Sequence, residues 1–117
     1  MTAADAGFLR AIVDELAAIG PISERPYFGG VALLFDGRQF AFVMGRTLYL
    51  ATNDANRIKM RSRGCQPFEY ATRSGVRTVE AYYDIPADIL GQPNLLVEWA
   101  STAISAQALS SRPLLRK

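Results

Sequence analysis

Six basic side chains crowd one stretch of the chain: Arg57, Lys59, Arg61 and Arg63, then Arg73 and Arg77. Such a run suits a phosphate-bearing partner, because each Lys or Arg that settles on a phosphate releases condensed counterions. Its spacing argues against a single basic stripe. Arg57 with Arg61, and Lys59 with Arg63, form i, i+4 pairs on different sides of a helix, and no aromatic side chain interleaves with them as in a single-strand stacking platform. A solvated helix face is the plainer reading. Direct nucleic-acid binding through residues 57–77 is kept as an alternative.

Tyr27-Phe28-Gly29-Gly30 is a second place where chemistry could sit, since paired glycines can turn backbone N–H groups toward an anion. No G-x-G-x-x-G leads from it into a helix and no Lys-Ser/Thr follows. A bend that carries Phe28 into the core is expected there, with a small-ligand site near Tyr27 to Gly30 as a further alternative. Cys65 lies two residues from Arg63, which would favour a thiolate, yet the chain has no histidine to serve as its base, so a buried inert thiol is expected. Asp14 and Glu15 are neighbours on different helix faces, and no carboxylate pair can be placed across a cleft. The tyrosines at 27, 49, 70, 82 and 83 suit a core that leaves their hydroxyls at its edge.

Composition narrows the classes further. The chain has 117 residues, no His and one Cys. Ser-His-Asp and Cys-His nucleophilic centres, zinc fingers, Cys-ligated iron–sulfur clusters and internal disulfides are therefore excluded. Half the residues are apolar and about a fifth are charged, which excludes disordered and low-complexity classes and leaves room for one globular domain spanning residues 1–117. No metal or cofactor is expected. Met1 to Arg10 shows neither a basic opening nor an apolar run with a cleavage site, and no window is apolar enough to span a membrane. A cytoplasmic protein with no membrane contact is expected.

Net charge is +2, distributed unevenly. Residues 1–37 carry −3, 38–77 carry +6, 78–111 carry −4 and the tail Arg112, Arg116, Lys117 adds +3. These blocks either make the molecule electrically polar or fold together and neutralise one another.

The elements that must position these groups follow from apolar periodicity. Phe8, Leu9, Ile12, Val13, Leu16 and Ile19 share one arc of a helix over residues 5–19, ended by Gly20-Pro21. A loop to Gly30 is expected, then strands Val31 to Phe35, Phe40 to Met44 and Thr47 to Ala51, the first two joined by an Asp36-Gly37 hairpin turn. Those first two strands are almost wholly apolar, as when both faces are covered by the chain itself or by a second molecule. A short helix, Asp54 to Arg63, is capped by Asn53 or Asp54, and only one of Ile58 and Met60 can face the core. Phe68 to Thr72 and Val76 to Tyr83 make a second hairpin, with Val79, Ala81 and Tyr83 on one face of its last strand, Thr78, Glu80 and Tyr82 on the other, and one of these faces wetter. Ala87 to Leu90 reads as one helical turn. Pro93 opens a long helix to about Ser110 whose apolar residues cover more than half its circumference. That helix is either sunk between sheet and first helix or offers an interface through Leu95, Val97, Trp99 and Ile104.

Several segments in order resemble the N-terminal domain of the TfoX/Sxy family of bacterial competence regulators. They are Gly20-Pro21, Arg25-Pro26-Tyr27-Phe28-Gly29-Gly30, Asp36-Gly37, Leu48-Tyr49-Leu50, Asn56-Arg57, Gly64-Cys65-Gln66-Pro67-Phe68, Tyr82-Tyr83-Asp84-Ile85-Pro86 and, after Pro93, Leu95-Leu96-Val97-Glu98-Trp99-Ala100. Coverage runs over about residues 8–106, leaving 107–117 as a basic tail. Tyr27 stands where the family commonly has Met, and Ala51 where it often has Lys or another polar residue. The resemblance implies a two-layer α+β domain, an antiparallel sheet with packed helices, similar to secretion-chaperone-like folds, and the five strands read from the residues agree with it. It also implies a stand-alone version without the helical second domain of those relatives that activate competence genes, reportedly alongside the cyclic-AMP receptor protein. It supplies no catalytic residue.

Together these observations point to a non-enzymatic regulatory or interaction module. It is expected to act through protein contacts and to form a homodimer through its apolar sheet or last helix.

Overall fold

The Asp5 carboxylate accepts the Phe8 backbone N–H at 2.9 Å and so starts the first helix, α1, Ala6–Leu16. Ile12 and Leu16 bury its inner face, and the chain leaves the helix through a turn in which Ile19 N–H reaches the Leu16 carbonyl at 2.9 Å. The structure, a computed structural model, describes residues 3–111, with side chains described through residue 107. The basic tail residues Arg112, Arg116 and Lys117 lie outside the described residues.

A strand, β1, Ser23–Tyr27, stands where a loop was expected, so the sheet has six strands and not five. The sequence hides it because four of its five residues are exposed and it pairs only with β2, which lets an edge strand carry Pro26. β1 joins β2, Gly30–Phe35, through Phe28-Gly29, whose φ angles of +47° and +86° are those of a primed hairpin turn. Asp36-Gly37, at +55° and +78°, makes the expected turn of the same kind into β3, Arg38–Met44.

After β4, Thr47–Ala51, comes α2, Asp54–Ser62. Asn53 and Asn56 cap each other reciprocally across its first turn, each side-chain oxygen accepting the other's backbone N–H at 2.7–2.9 Å. Met60 is its buried residue, while Ile58 points to solvent. β5, Pro67–Thr72, and β6, Gly75–Asp84, form the next hairpin, followed by α3, Ala87–Leu90, and α4, Pro93–Ser111.

The fold is α+β. All strand pairs are antiparallel in the order β1-β2-β3-β4-β6-β5, and α4 lies across β3 and β4 against α1 and α3. Leu96, Ala100, Ala103 and Ala106 are its buried residues, so small side chains let the helix sit close. No helix among the described residues is long and apolar enough to cross a membrane.

Two irregularities curl the sheet. Leu33 pairs with Ala41 but Leu34 with Gln39, which leaves Phe40 as an extra residue whose ring goes under α4 beside Ile104. Pro67 pairs with Tyr83 but Phe68 with Val79, so residues 80–82 have no partner in β5 and the ribbon bends sharply. The bend sets Phe68 on Phe42 and Tyr49, with ring centroids 4.9 and 5.1 Å apart. A second apolar cluster thereby fills the sheet face turned away from the helices. Phe42, fully buried, is ringed by Tyr27, Tyr49, Phe68 and Tyr82 at 4.8–5.0 Å. Tyr82 and Tyr83 are both buried, on opposite faces, so neither face of β6 is wet at that end. The apolar runs of β2 and β3 are thus covered on both sides within one chain.

Candidate interaction surface

The basic run does not converge on one surface. Arg57 is mostly buried; its Nε donates to Thr52 Oγ1 at 3.2 Å and to the Glu80 carbonyl at 3.1 Å, and its guanidinium pairs with Asp54 at 3.0 Å. Arg61 donates to the Tyr83 hydroxyl and pairs with Glu80, both at 2.9 Å, while Tyr83 donates to the same carboxylate at 2.5 Å. The Tyr83 hydrogen bond, helped by Arg61, holds the Glu80 carboxyl below the ordinary glutamate range. Burial first, then the bond to Glu80, pushes the Tyr83 phenol up. Arg63 pairs with Asp88 at 3.2 Å and lies 5.7 Å over the Trp99 ring. Three of the six bases therefore tie α2 to β6, α3 and α4, and their partners Glu80 and Asp88 come from the acidic 78–111 block. The charge blocks fold onto one another.

Lys59 is exposed beside a cleft of about 90 Å³ formed with Asn56, Met60 and Trp99, too small for most ligands. Arg73 and Arg77 stand exposed at the far end of the β5–β6 ribbon. On α4, Leu95, Trp99 and Ile104 are half-buried against the core, and Val97 is half-buried as well. Cys65 is buried and its thiol is pushed up to about 11, chiefly by burial. Among the described residues no three His, Cys, Asp or Glu side chains gather as metal ligands would.

The Tyr27 to Gly30 segment departs most from expectation. Phe28 does not enter the core; it is 58% exposed, although the residue before it, Tyr27, packs on buried Phe42. The reason is the turn itself. Phe28 occupies the first left-handed position of a two-residue hairpin loop, where the side chain projects from the tip. Gly30 must be glycine, because a Cβ there would lie 2.3 Å from the Val43 carbonyl oxygen.

The curl of the sheet brings this tip from one edge to the other. Phe28 stacks 6.3 Å from Tyr70 of β5, although β1 and β5 are the two ends of the strand order. Tyr27 meets Phe28 edge-on at 4.8 Å, and Tyr70 continues the stack to Phe68 at 6.0 Å. Arg77 is the cross-strand partner of Tyr70, and Arg25 shares the face of Tyr27 two residues away; both are exposed. Glu24 and Glu69 alternate onto the opposite face, so the rim beside the rings is basic. The result is an aromatic step, exposed Phe28 on half-buried Tyr70, flanked by Arg25 and Arg77. Tyr27, Phe28 and Arg77 stand out singly in the sequence, but their juxtaposition comes from the bend at Phe68, which has no local signature.

The family model described as the TfoX N-terminal domain matches residues 14–107. No curated protein matches the chain.

Proposed function

Since the chain belongs to the TfoX N-terminal domain family, whose model spans residues 14–107, we propose that it is a non-enzymatic regulatory module of the cytoplasm that acts through protein–protein contacts. The observation that carries this reading is the step of Phe28 on Tyr70 between Arg25 and Arg77. An aromatic ring held out at a hairpin tip, in a backbone conformation that a Phe disfavours, brings folding little net gain. Its partner is a protein segment with an apolar or aromatic anchor flanked by acidic residues, which the two arginines complement. Competence-type transcriptional regulation is the role that the family resemblance lends to such contacts.

The titratable groups support the non-enzymatic half of the reading. General acid–base catalysis works best with a group poised near the working pH. Burial instead moves Cys65 to about 11 and Tyr82 to about 12. Arg61 and Glu80 are held in their charged forms by each other and by Tyr83. The nucleic-acid alternative loses Arg57, Arg61 and Arg63 to internal ion pairs.

The test is a photo-crosslinking side chain placed at 28, 77 or 101 in the producing cell. Protein adducts are expected from the first two positions and none from Ser101, exposed on α4. Equal labelling at all three, or nucleic-acid adducts at 77, would contradict the proposal.

A further inference from the structure

On the helix side of the sheet, α1 leaves an open groove against β1. It has a volume of about 370 Å³ and is lined by Ala6, Leu9, Arg10, Val13, Asp14 and Glu24. Its floor is apolar and its rim carries three exposed charges, Arg10, Asp14 and Glu24, none of which makes an ion pair among the described residues. We propose that this groove is the seat of α1 from a second copy of the chain, laid antiparallel across a two-fold axis, with each Arg10 meeting Asp14 of the other copy.

Three features of the sequence on this face fit a copy of itself. The residues along the seam are Ala6, Arg10, Val13 and Ala17, spaced 4, 3 and 4, a pattern that reads the same in both directions. Reversing one helix therefore superposes seam on seam, Ala6 opposite Ala17 and Arg10 opposite Val13. The signs are ordered to match: an antiparallel neighbour sets the Arg10 guanidinium beside Asp14, one turn further on, whereas a parallel neighbour would set Arg10 against Arg10. The ends of the seam are small. Ala6, Gly7, Ala17 and Ala18 are exposed, so two helices can approach closely at both ends while the half-buried Leu9 and Val13 meet at the middle. Glu24 on the neighbouring strand adds a second carboxylate within the same rim.

The size of the contact sets its strength. A helix of 11 residues is about 16 Å long, so the paired surfaces fall at the small end of specific interfaces. The cross-pairs lie at the rim, where salt screens them. The dimer is weak, reversible and salt-sensitive. It leaves Phe28 and Tyr70 free, because they stand on the other face of the sheet, so the inference is independent of the contact proposed there.

The test is the mass of the full chain in solution, by sedimentation equilibrium from about 1 µM to about 500 µM, at about 50 mM and about 500 mM salt. The unmodified chain is expected to dimerise with rising concentration, with affinity falling about tenfold or more at the higher salt. Arg10→Glu and Asp14→Arg, each at exposed positions, are expected to stay monomeric while melting as the unmodified chain does. Mixing the two single variants is expected to restore a heterodimer, and Arg10→Glu with Asp14→Arg in one chain to restore the homodimer. A chain monomeric throughout, a dimer that persists in both single variants, or a mixture and double variant that both stay monomeric would overturn the proposal. Persistence in the single variants with loss in Val97→Asp would move the interface to α4.

Discussion

Phe28→Asn separates a contact residue from a structural plug. At φ +47° a Phe backbone carries a left-handed penalty of roughly 1–2 kcal/mol, most of which Asn avoids. Against this, the ring is 58% exposed, so about two-fifths of it is covered. A fully buried Phe contributes up to ~3 kcal/mol, which makes the covered part worth ~1 kcal/mol, with roughly 0.5–1 kcal/mol more for the edge-on pair with Tyr27. The opposing effects nearly cancel. Urea unfolding should place Phe28→Asn within about 1 kcal/mol of the unmodified chain. Phe42→Ala, which removes a fully buried ring in contact with four others, should lose about 3–5 kcal/mol. A loss of that larger size in Phe28→Asn would refute the reasoning: Phe28 would then be the closure of the aromatic cluster and no docking feature.

Gly30→Ala should destabilise by roughly 3 kcal/mol or more in the same assay, because the new Cβ meets the Val43 backbone, which cannot swing aside as the neighbouring Met44 side chain can. On the alkaline side, Tyr82 and Cys65 have folded pKa values of about 12 and about 11 against ordinary values of 10.0 and 9.0, so the folded state holds their protons longer than the unfolded chain. Their stabilisation is complete below pH 9 and lost as pH rises through 9 to 12, Tyr82 contributing about 2–3 kcal/mol of it, as melts across that range would show. On the acid side the sign reverses. The carboxyl of Glu80 is held below its ordinary 4.5, so its stabilisation is present above that value and disappears as pH falls through the depressed one, and Glu80→Gln should flatten the acid limb of the stability curve.

Local patterns were legible where a single element decides the outcome. The arc of Ile12 and Leu16, the Asp36-Gly37 turn, a cap at Asn53 or Asp54 and the exclusion of one of Ile58 and Met60 from the core all follow from spacing within a few residues. β1 was not legible, because an edge strand with four of its five residues exposed carries no alternating pattern and its Pro26 reads as loop. The position of Phe28 was misread for the same reason. A Phe before Gly-Gly suggests an anchor, and only the primed turn turns it outward. The long apolar circumference of α4 left two occupants open. The sheet, α1 and α3 take the side of Leu96, Ala100 and Ala103, while Leu95, Val97, Trp99 and Ile104 remain half-buried. The basic run looked like a ligand site because its partners, Glu80 and Asp88, lie 19 and 25 residues from Arg61 and Arg63. The juxtaposition of Phe28, Tyr70 and Arg77 depends on a bend produced by non-local packing, and no window of the sequence contains it.

The most direct test of a contact surface at the hairpin tip compares proteins that co-purify with the tagged chain from the producing cell. The unmodified chain, Phe28→Asn and a control, Ser101→Glu, would be measured at equal folded amounts. A defined set of the co-purifying proteins is expected to fall about tenfold or more with Phe28→Asn and to stay unchanged with Ser101→Glu. The same set at the same level in all three would contradict that expectation.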